Sequence, residues 1–191
     1  MKPNEIEQKL KDIFGAFITI TNPKEIKPGE SWEIPEEELR EITSTAQEIT
    51  RIRGSILTRA VEIDSIVGRI IKYSIFGKDT ENSDLFENLI LKTNFFSTMN
   101  KLNVFRELVK QHNMLKNNDY SSLLTEIQEF MNTRNKFAHG TVVFKGKEPF
   151  LCYYQRGDRE DELTCEYFEK ISKSFKQIYC ELLKIQCLLK S

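Results

Sequence analysis

The feature that most constrains the fold is a long apolar periodicity in the first half of the chain. No proline occurs between Leu39 and Phe76, and apolar residues recur there at steps of three and four, which is the spacing of one helix face. These residues are Ile49, Ile52, Ile56, Ala60, Ile63, Val67 and Ile70. Glutamates at residues 36–38 suit the first turn of a helix, and Gly77 suits a C-cap. The pattern therefore predicts one long helix that ends near Phe76.

Helical spacing recurs along most of the remaining chain. It predicts further helices over residues 5–17, 84–91 and 97–111, then the helix of the candidate site, capped by Ser121 or Ser122, and a last helix over residues 168–189. We expect Gly140 to end the fourth of these in a left-handed conformation. The apolar stripe of the last helix suits packing in a bundle and, less commonly, a coiled-coil dimer. Between residues 19 and 33, Pro23, Pro28 and Gly29 predict a loop.

Two short runs of apolar and β-branched residues, 141–144 and 150–154, flank the turn sequence KGKEP and predict a β-hairpin. The acidic segment GDREDELT then predicts a loop before the last helix. The predicted fold is mainly α: a bundle of four to five helices with a small β-hairpin before the C-terminal helix. Residues 35–191 form this domain, and residues 1–34 form an N-terminal extension of one helix and a loop.

Charge and cysteine usage narrow the class of protein. The net charge of -1, from 28 basic and 29 acidic residues, gives no overall attraction to nucleic acid or anionic membranes. No run of about 18 apolar residues is present, and the charged start MKPNEIEQKLKDIF is unlike a secretory signal. The four cysteines lack Cys-x-x-Cys spacing, which argues against a zinc site or a disulfide framework. We therefore expect a cytoplasmic protein without a membrane segment, metal or cofactor.

The candidate site is the run FMNTRNKFAHG at residues 130–140, which sets Arg134, Asn135 and His139 in an apolar frame. His139 is one of two histidines. The other, His112, follows a predicted helix end, where a histidine side chain commonly hydrogen-bonds the last carbonyl groups of the helix. Five residues along a helix give a net rotation of about 140°. Arg134 and His139 therefore converge only through the length of the arginine, the helix end, or a second copy across a dimer axis.

These side chains suit phosphodiester cleavage. An imidazole can act as general base and then general acid near neutrality, and a guanidinium can hold two phosphate oxygens. With the RNA 2′-hydroxyl as nucleophile, the pair could cleave RNA without a metal. From the residues alone, a simpler account is favoured: Arg134 and His139 satisfy the carbonyls of the helix end, and Asn135 bonds nearby backbone.

The run RNKFAHG closes a helix that follows several others, and it resembles the signature of the HEPN superfamily (higher eukaryotes and prokaryotes nucleotide-binding). That signature is an arginine, four to six residues beginning with a polar one, and a histidine; here residues 135–138 separate Arg134 from His139. The segment RAVEIDSIVGRIIKYSIFG is similar to the first long bundle helix of HEPN proteins related to the mannitol repressor family. The resemblance covers roughly residues 40–190.

The resemblance implies a helical bundle that commonly forms a homodimer and brings both motif copies to one cleft. Many HEPN proteins resemble metal-independent endoribonucleases of toxin–antitoxin, anti-phage or RNA-processing systems, so RNA is the implied substrate and an antitoxin or other protein an implied partner. By this resemblance Arg134 would bind the scissile phosphate, Asn135 would orient it and His139 would be the acid and base. Some nuclease members carry a tyrosine two places after the histidine, where this chain has Thr141.

The alternative function is a non-catalytic HEPN dimerisation or binding module, such as a regulator like the mannitol repressor. A basic groove flanking both His139 copies would favour the nuclease, and a dimer that buries His139 against apolar side chains, closed to an RNA strand, would favour the binding module. In the long helix, Glu62 and Asp64 are additional candidates for the site, although an i,i+3 pair of Glu62 with Arg59 is the simpler account. A metalloenzyme is least favoured, because histidines are few and no ligand spacing is present.

Overall fold

The structure, a computed structural model, describes residues 18–21, 34–77, 79–93, 96–111 and 120–190. The described chain is mainly helical and carries a small sheet. Its helices are α1 (Glu36–Phe76), α2 (Glu81–Phe86), a π-helical turn (Glu87–Leu91), α3 (Thr98–Gln111), α4 (Ser121–His139) and α5 (Cys165–Lys190). Its strands are β1 (Ile18–Thr21), β2 (Thr141–Lys145), β3 (Glu148–Tyr154) and β4 (Asp158–Glu162).

The prediction of a long first helix is confirmed. Helix α1 spans Glu36–Phe76, and the Gly77 N–H donates to the Tyr73 carbonyl at 2.8 Å with a φ of 74° at Gly77. The segment predicted as one helix over 84–91 instead forms α2 and the π-helical turn. Helix α2 begins earlier because Thr80 and Ser83 form a capping box, in which each side chain accepts from the other's backbone N–H.

The chain divides into two compact units. The helical unit contains residues 58–132 and 171–191, and the sheet unit contains residues 1–57 and 133–170. In the helical unit, aliphatic and aromatic side chains from α1, α3, α4 and α5 form one buried core. Among its fully buried members are Ile63, Ile66, Val67, Ile70, Ile71, Phe105, Ile127, Ile178 and Leu182. This core accounts for the apolar periodicity of the second half of α1 and of most of α5.

The acidic residues of α1 make contacts within the helical unit. Asp64 accepts hydrogen bonds from Lys101 and Thr98 of α3. The Arg59 guanidinium, predicted to pair with Glu62, lies 4.8 Å from the centre of the Phe175 ring. Asp64 thus joins α1 to α3, and a cation–π contact takes the place of the predicted surface pair.

The sheet unit contains a four-stranded sheet in the order β1-β2-β3-β4. The predicted hairpin is present as β2 and β3, joined at Gly146, which has a φ of 67°. Strand β1 pairs with β2 in parallel, and β4 pairs with β3 in antiparallel orientation. The predictions of a loop at Thr19–Thr21 and of an acidic loop at Asp158–Glu162 were therefore wrong. Strand β4 can be acidic because it lies at a sheet edge, where all of its residues except Asp161 are exposed to water.

Several predicted features lie outside the described residues: the helix at 5–17, the rest of the loop, at 22–33, and His112. Among the described helices, none is long and apolar enough to cross a membrane.

Candidate active site

The candidate site lies in the sheet unit, where α4 ends and β2 begins. Phe137 anchors this helix end: it is fully buried, and its ring centre lies 6.3 Å from those of Tyr167 and Phe168. The predicted left-handed conformation of Gly140 was wrong, since φ is positive at Gly77, Gly146 and Gly157 but not at Gly140. Glycine is required there for space. A Cβ at residue 140 would lie 2.5 Å from the Lys136 carbonyl oxygen and 2.9 Å from Leu151 Cδ1.

Arg134 and Asn135 form a pair on α4. Arg134 Nη1 donates to Asn135 Oδ1 at 3.0 Å; Arg134 is half-buried and Asn135 is exposed. The asparagine side chain thus bonds the neighbouring guanidinium, in contrast to the simpler account that gave it a backbone partner. This bond fixes one edge of the guanidinium and leaves its other N–H groups able to face a phosphate.

His139 is the last residue of α4, and it is exposed. It opens onto a groove of about 450 Å³, lined by His139, Thr141, Cys152, Tyr153, Tyr154, Asp158, Arg159 and Glu160. Arg134 and Asn135 are not among the residues that line this groove. Within one chain, therefore, the predicted trio divides into the Arg134–Asn135 pair and a histidine with its own groove.

Most of the strand residues that line the groove lie on one face of the sheet. Leu151 is buried on β3, so the alternate residues Cys152 and Tyr154 point to the opposite face. In the sheet register, Glu160 is opposite Cys152 and Asp158 is opposite Tyr154. Glu160 accepts from Lys145 Nζ at 2.7 and 2.8 Å. The groove thus contains both signs of charge, and burial, with the charge of Glu160, raises the pKa of the Cys152 thiol.

Arg53 is a residue near His139 that the sequence analysis missed. Its Nη2 donates to the Ala138 carbonyl at 3.0 Å, so a guanidinium caps the end of α4. Burial lowers the pKa of Arg53, but an arginine remains charged near neutrality. The sequence did contain a signal, because Arg53 lies four residues after Ile49 and three before Ile56, on the buried face of α1.

A polar network centred on Asp161 holds the strands against the end of α4. Its carboxylate accepts from Lys136 Nζ at 2.8 Å and from the hydroxyls of Tyr153 and Tyr167 at 3.0 Å each. Burial alone would raise the pKa of Asp161, but the three hydrogen bonds together lower it. Burial, followed by the nearby Asp161 charge, raises the pKa of Tyr167, which therefore stays a neutral donor. The network thus fixes Tyr153 on the face of β3 opposite to Cys152 and Tyr154.

Among the described residues, no group of three or more His, Cys, Asp or Glu side chains could hold a metal ion. No family model matches the sequence, and the comparisons with curated proteins and with solved structures likewise give no match. The HEPN resemblance therefore rests on the motif residues and on the helices that carry them.

Proposed function

We propose that this protein is a metal-independent endoribonuclease of the HEPN type, with Arg134, Asn135 and His139 as its site residues. The observation that carries this proposal is the exposure of His139 at the end of α4, beside an open groove. A histidine kept only for packing would be covered, and at least one carbonyl of the helix end, that of Ala138, is already bonded by Arg53.

In the proposed reaction, a neutral His139 accepts the proton of the RNA 2′-hydroxyl. The 2′-oxygen attacks the adjacent phosphorus, and the bond from phosphorus to the 5′-oxygen breaks. An imidazolium then gives its proton to the leaving 5′-oxygen, so the products are a 2′,3′-cyclic phosphate and a 5′-hydroxyl. Arg134, held by Asn135, stabilises the negative charge on the non-bridging oxygens.

The proposal includes a homodimer. Arg134 does not line the His139 groove of its own chain, and the helical rotation between the two residues is about 140°. A second copy would supply the arginine and a second imidazole to one cleft. We also propose a cytoplasmic role in toxin–antitoxin or anti-phage defence, with an antitoxin as partner.

The second candidate is a non-catalytic HEPN binding module. The observation that favours it is the mixed charge of the groove, where Asp158 and Glu160 lie beside Arg159. A strongly basic groove would attract an RNA backbone more effectively. Thr141, in place of the tyrosine of some nuclease members, points the same way.

RNA cleavage in EDTA distinguishes these candidates. The assay compares the wild type with Arg134→Ala and His139→Ala, with Arg106→Ala as the matched control. Arg106 is exposed on α3 and bonds Asn103. We expect cleavage to survive chelation and to disappear in both motif variants while circular dichroism shows that they remain folded. Cleavage that persists in His139→Ala would reject the mechanism, and no cleavage of a broad RNA panel by the wild type would favour the binding module.

A further inference from the structure

Tyr154 is a conspicuous side chain of the groove that the proposed mechanism does not use. It is 81% exposed, the highest value among the exposed large apolar side chains of the described residues. It lies at the end of β3, and its groove also contains His139. An aromatic ring so placed presents a face on which a nucleic acid base can stack, whatever the identity of that base.

A carboxylate stands next to this ring. Asp158 is the cross-strand partner of Tyr154, and side chains in such pairs have Cβ atoms about 4.5–5.5 Å apart. Asp158 is exposed and lines the groove, whereas the other groove carboxylate, Glu160, is engaged by Lys145. A base stacked on Tyr154 would therefore have its polar edge within reach of Asp158.

The chemistry of a carboxylate selects among the bases. An ionised carboxylate only accepts hydrogen bonds, through two oxygens. Guanine presents two adjacent donors, N1–H and the N2 amino group, on its Watson–Crick edge, so it can bond both oxygens at once. Adenine and cytosine present an amino group beside a ring nitrogen that only accepts hydrogen bonds. That nitrogen would face a carboxylate oxygen, which is also an acceptor, so the two would repel each other. Uracil presents a single N–H between two carbonyl oxygens.

We propose that Tyr154 and Asp158 form a base-recognition subsite that holds an unpaired guanine of single-stranded RNA beside His139. The proposal rests on the proposed ribonuclease function and adds a substrate class to it. The base must be unpaired, because both its face and its Watson–Crick edge are used. The subsite also gives the acidic side chain of the groove a role that does not involve the phosphates.

Binding of short 2′-O-methyl RNA oligonucleotides tests the subsite apart from cleavage, since these lack the 2′-hydroxyl nucleophile. Fluorescence anisotropy would compare oligonucleotides that differ only in one central base: guanine, inosine, which lacks the N2 amino group, or adenine. For the wild type we expect guanine to bind about tenfold more tightly than adenine, with inosine between them.

Three variants separate stacking from edge recognition. Tyr154→Ala should weaken binding of every oligonucleotide about tenfold, while Tyr154→Phe should keep wild-type affinity because the ring remains. Asp158→Asn keeps the shape of the side chain but adds a donor, so it should reduce the preference for guanine more than it reduces overall binding.

The outcomes distinguish this subsite from the proposed nuclease. Unchanged affinity in Tyr154→Ala, or a wild type that binds no oligonucleotide, would overturn the subsite even if the EDTA assay showed cleavage. Equal affinity of the wild type for guanine and adenine would overturn the choice of base. Guanine-selective binding that depends on Tyr154, without RNA cleavage, would retain the subsite and reject the nuclease.

Discussion

The helical unit and the sheet unit are stabilised in different ways. The helical unit buries a continuous set of aliphatic and aromatic side chains, contributed by α1, α3, α4, α5 and the π-helical turn. Among the described residues, the sheet unit has fewer buried apolar side chains, and in it Lys136 and two tyrosines surround Asp161 in a polar network. The free energy of apolar burial depends on the buried area and not on direction, whereas a hydrogen bond fixes the distance and angle between two particular atoms. Directional contacts occur in both units, since Asp64 bonds Lys101 and Thr98 in the helical unit, but the Asp161 network is the one beside the candidate site.

One lysine–carboxylate cluster from each unit shows how differently such groups are exposed to solvent. In the helical unit, Lys72 is 5% exposed and bonds Asp79, Asp84 and Glu87, of which the two aspartates are more than 60% exposed. In the sheet unit, Lys136 and Asp161 are similarly covered, with 25% and 23% of their side chains exposed. Hydrogen bonding, led by that to Asp79, raises the pKa of Lys72 against the effect of burial. The Lys72 cluster faces solvent through its two aspartates, whereas the Asp161 network is mostly covered and joins strands β3 and β4 to the end of α4.

The largest effect is expected from a cavity in the helical core. Phe105 is fully buried, so Phe105→Ala should lower the free energy of unfolding by about 3–5 kcal/mol. Leu89→Ala is the control: Leu89 is 65% exposed, and its truncation should change stability by less than about 0.5 kcal/mol. Urea denaturation measures both. Similar small losses for the two variants would show that Phe105 does not pack in a continuous core.

The next largest loss of stability is expected from a substitution in the closely packed turn beside the site. Gly140→Ala should destabilise the protein by about 1–3 kcal/mol, because the new Cβ meets the Lys136 carbonyl and Leu151. Gly54→Ala is a matched control on α1, where a Cβ meets nothing within 4 Å. It should stabilise the helix by about 0.5–1 kcal/mol. If thermal melts showed both variants to be stabilised, the turn after α4 would have to be looser than the structure shows.

A smaller loss of stability is expected when the Asp161 network is disrupted, and this loss depends on pH. Because the pKa of Asp161 is lower in the folded protein, its contribution is complete above the unfolded pKa of about 3.9 and disappears as the pH falls through the folded value. Asp161→Asn should therefore cost about 1–2 kcal/mol between pH 5 and 7, with a difference from wild type that closes below about pH 4. Denaturation at several pH values measures it.

Asp158→Asn, an exposed change on the same strand, provides the comparison for Asp161→Asn and should remain within about 0.5 kcal/mol of wild type. An Asp161→Asn difference that did not vary with pH would indicate that the carboxylate acts through packing and not through its charge.

The same contrast explains which parts of the fold could be predicted from the sequence. Helices α1, α3, α4 and α5 were predicted because each has apolar residues at steps of three and four on its buried face. This spacing is visible within a short stretch of sequence. Strand β1 has four residues, and its partner β2 begins more than 100 positions later in the chain, so no local pattern reports the pairing. Strand β4 reads DREDE, which carries no apolar alternation because an edge strand does not require it.

The candidate site was predictable in its residue types but not in its surroundings. The spacing of Arg134 and His139 and the helix rotation between them indicated that one chain would not bring them together easily, and Arg134 does not line the groove of His139. Arg53 was visible as a charge on an apolar face, but only the structure shows the carbonyl that it bonds. Tyr154 and Asp158 become neighbours through the register of a strand that the sequence did not indicate.

The smallest expected effect compares cysteines of the two units. Cys152 lies half-buried in the groove, and its raised pKa leaves less thiolate, the reactive form, at a given pH. Cys180, which belongs to α5 in the helical unit, is exposed. Iodoacetamide at pH 8 should therefore modify Cys152 a few-fold more slowly than Cys180, as followed by peptide mass spectrometry.

A guanine-containing 2′-O-methyl oligonucleotide should slow the modification of Cys152 further and leave that of Cys180 unchanged, because Cys152, unlike Cys180, shares a groove with Tyr154. Equal rates without the oligonucleotide would contradict the burial of Cys152, and equal slowing of both cysteines would place the oligonucleotide elsewhere.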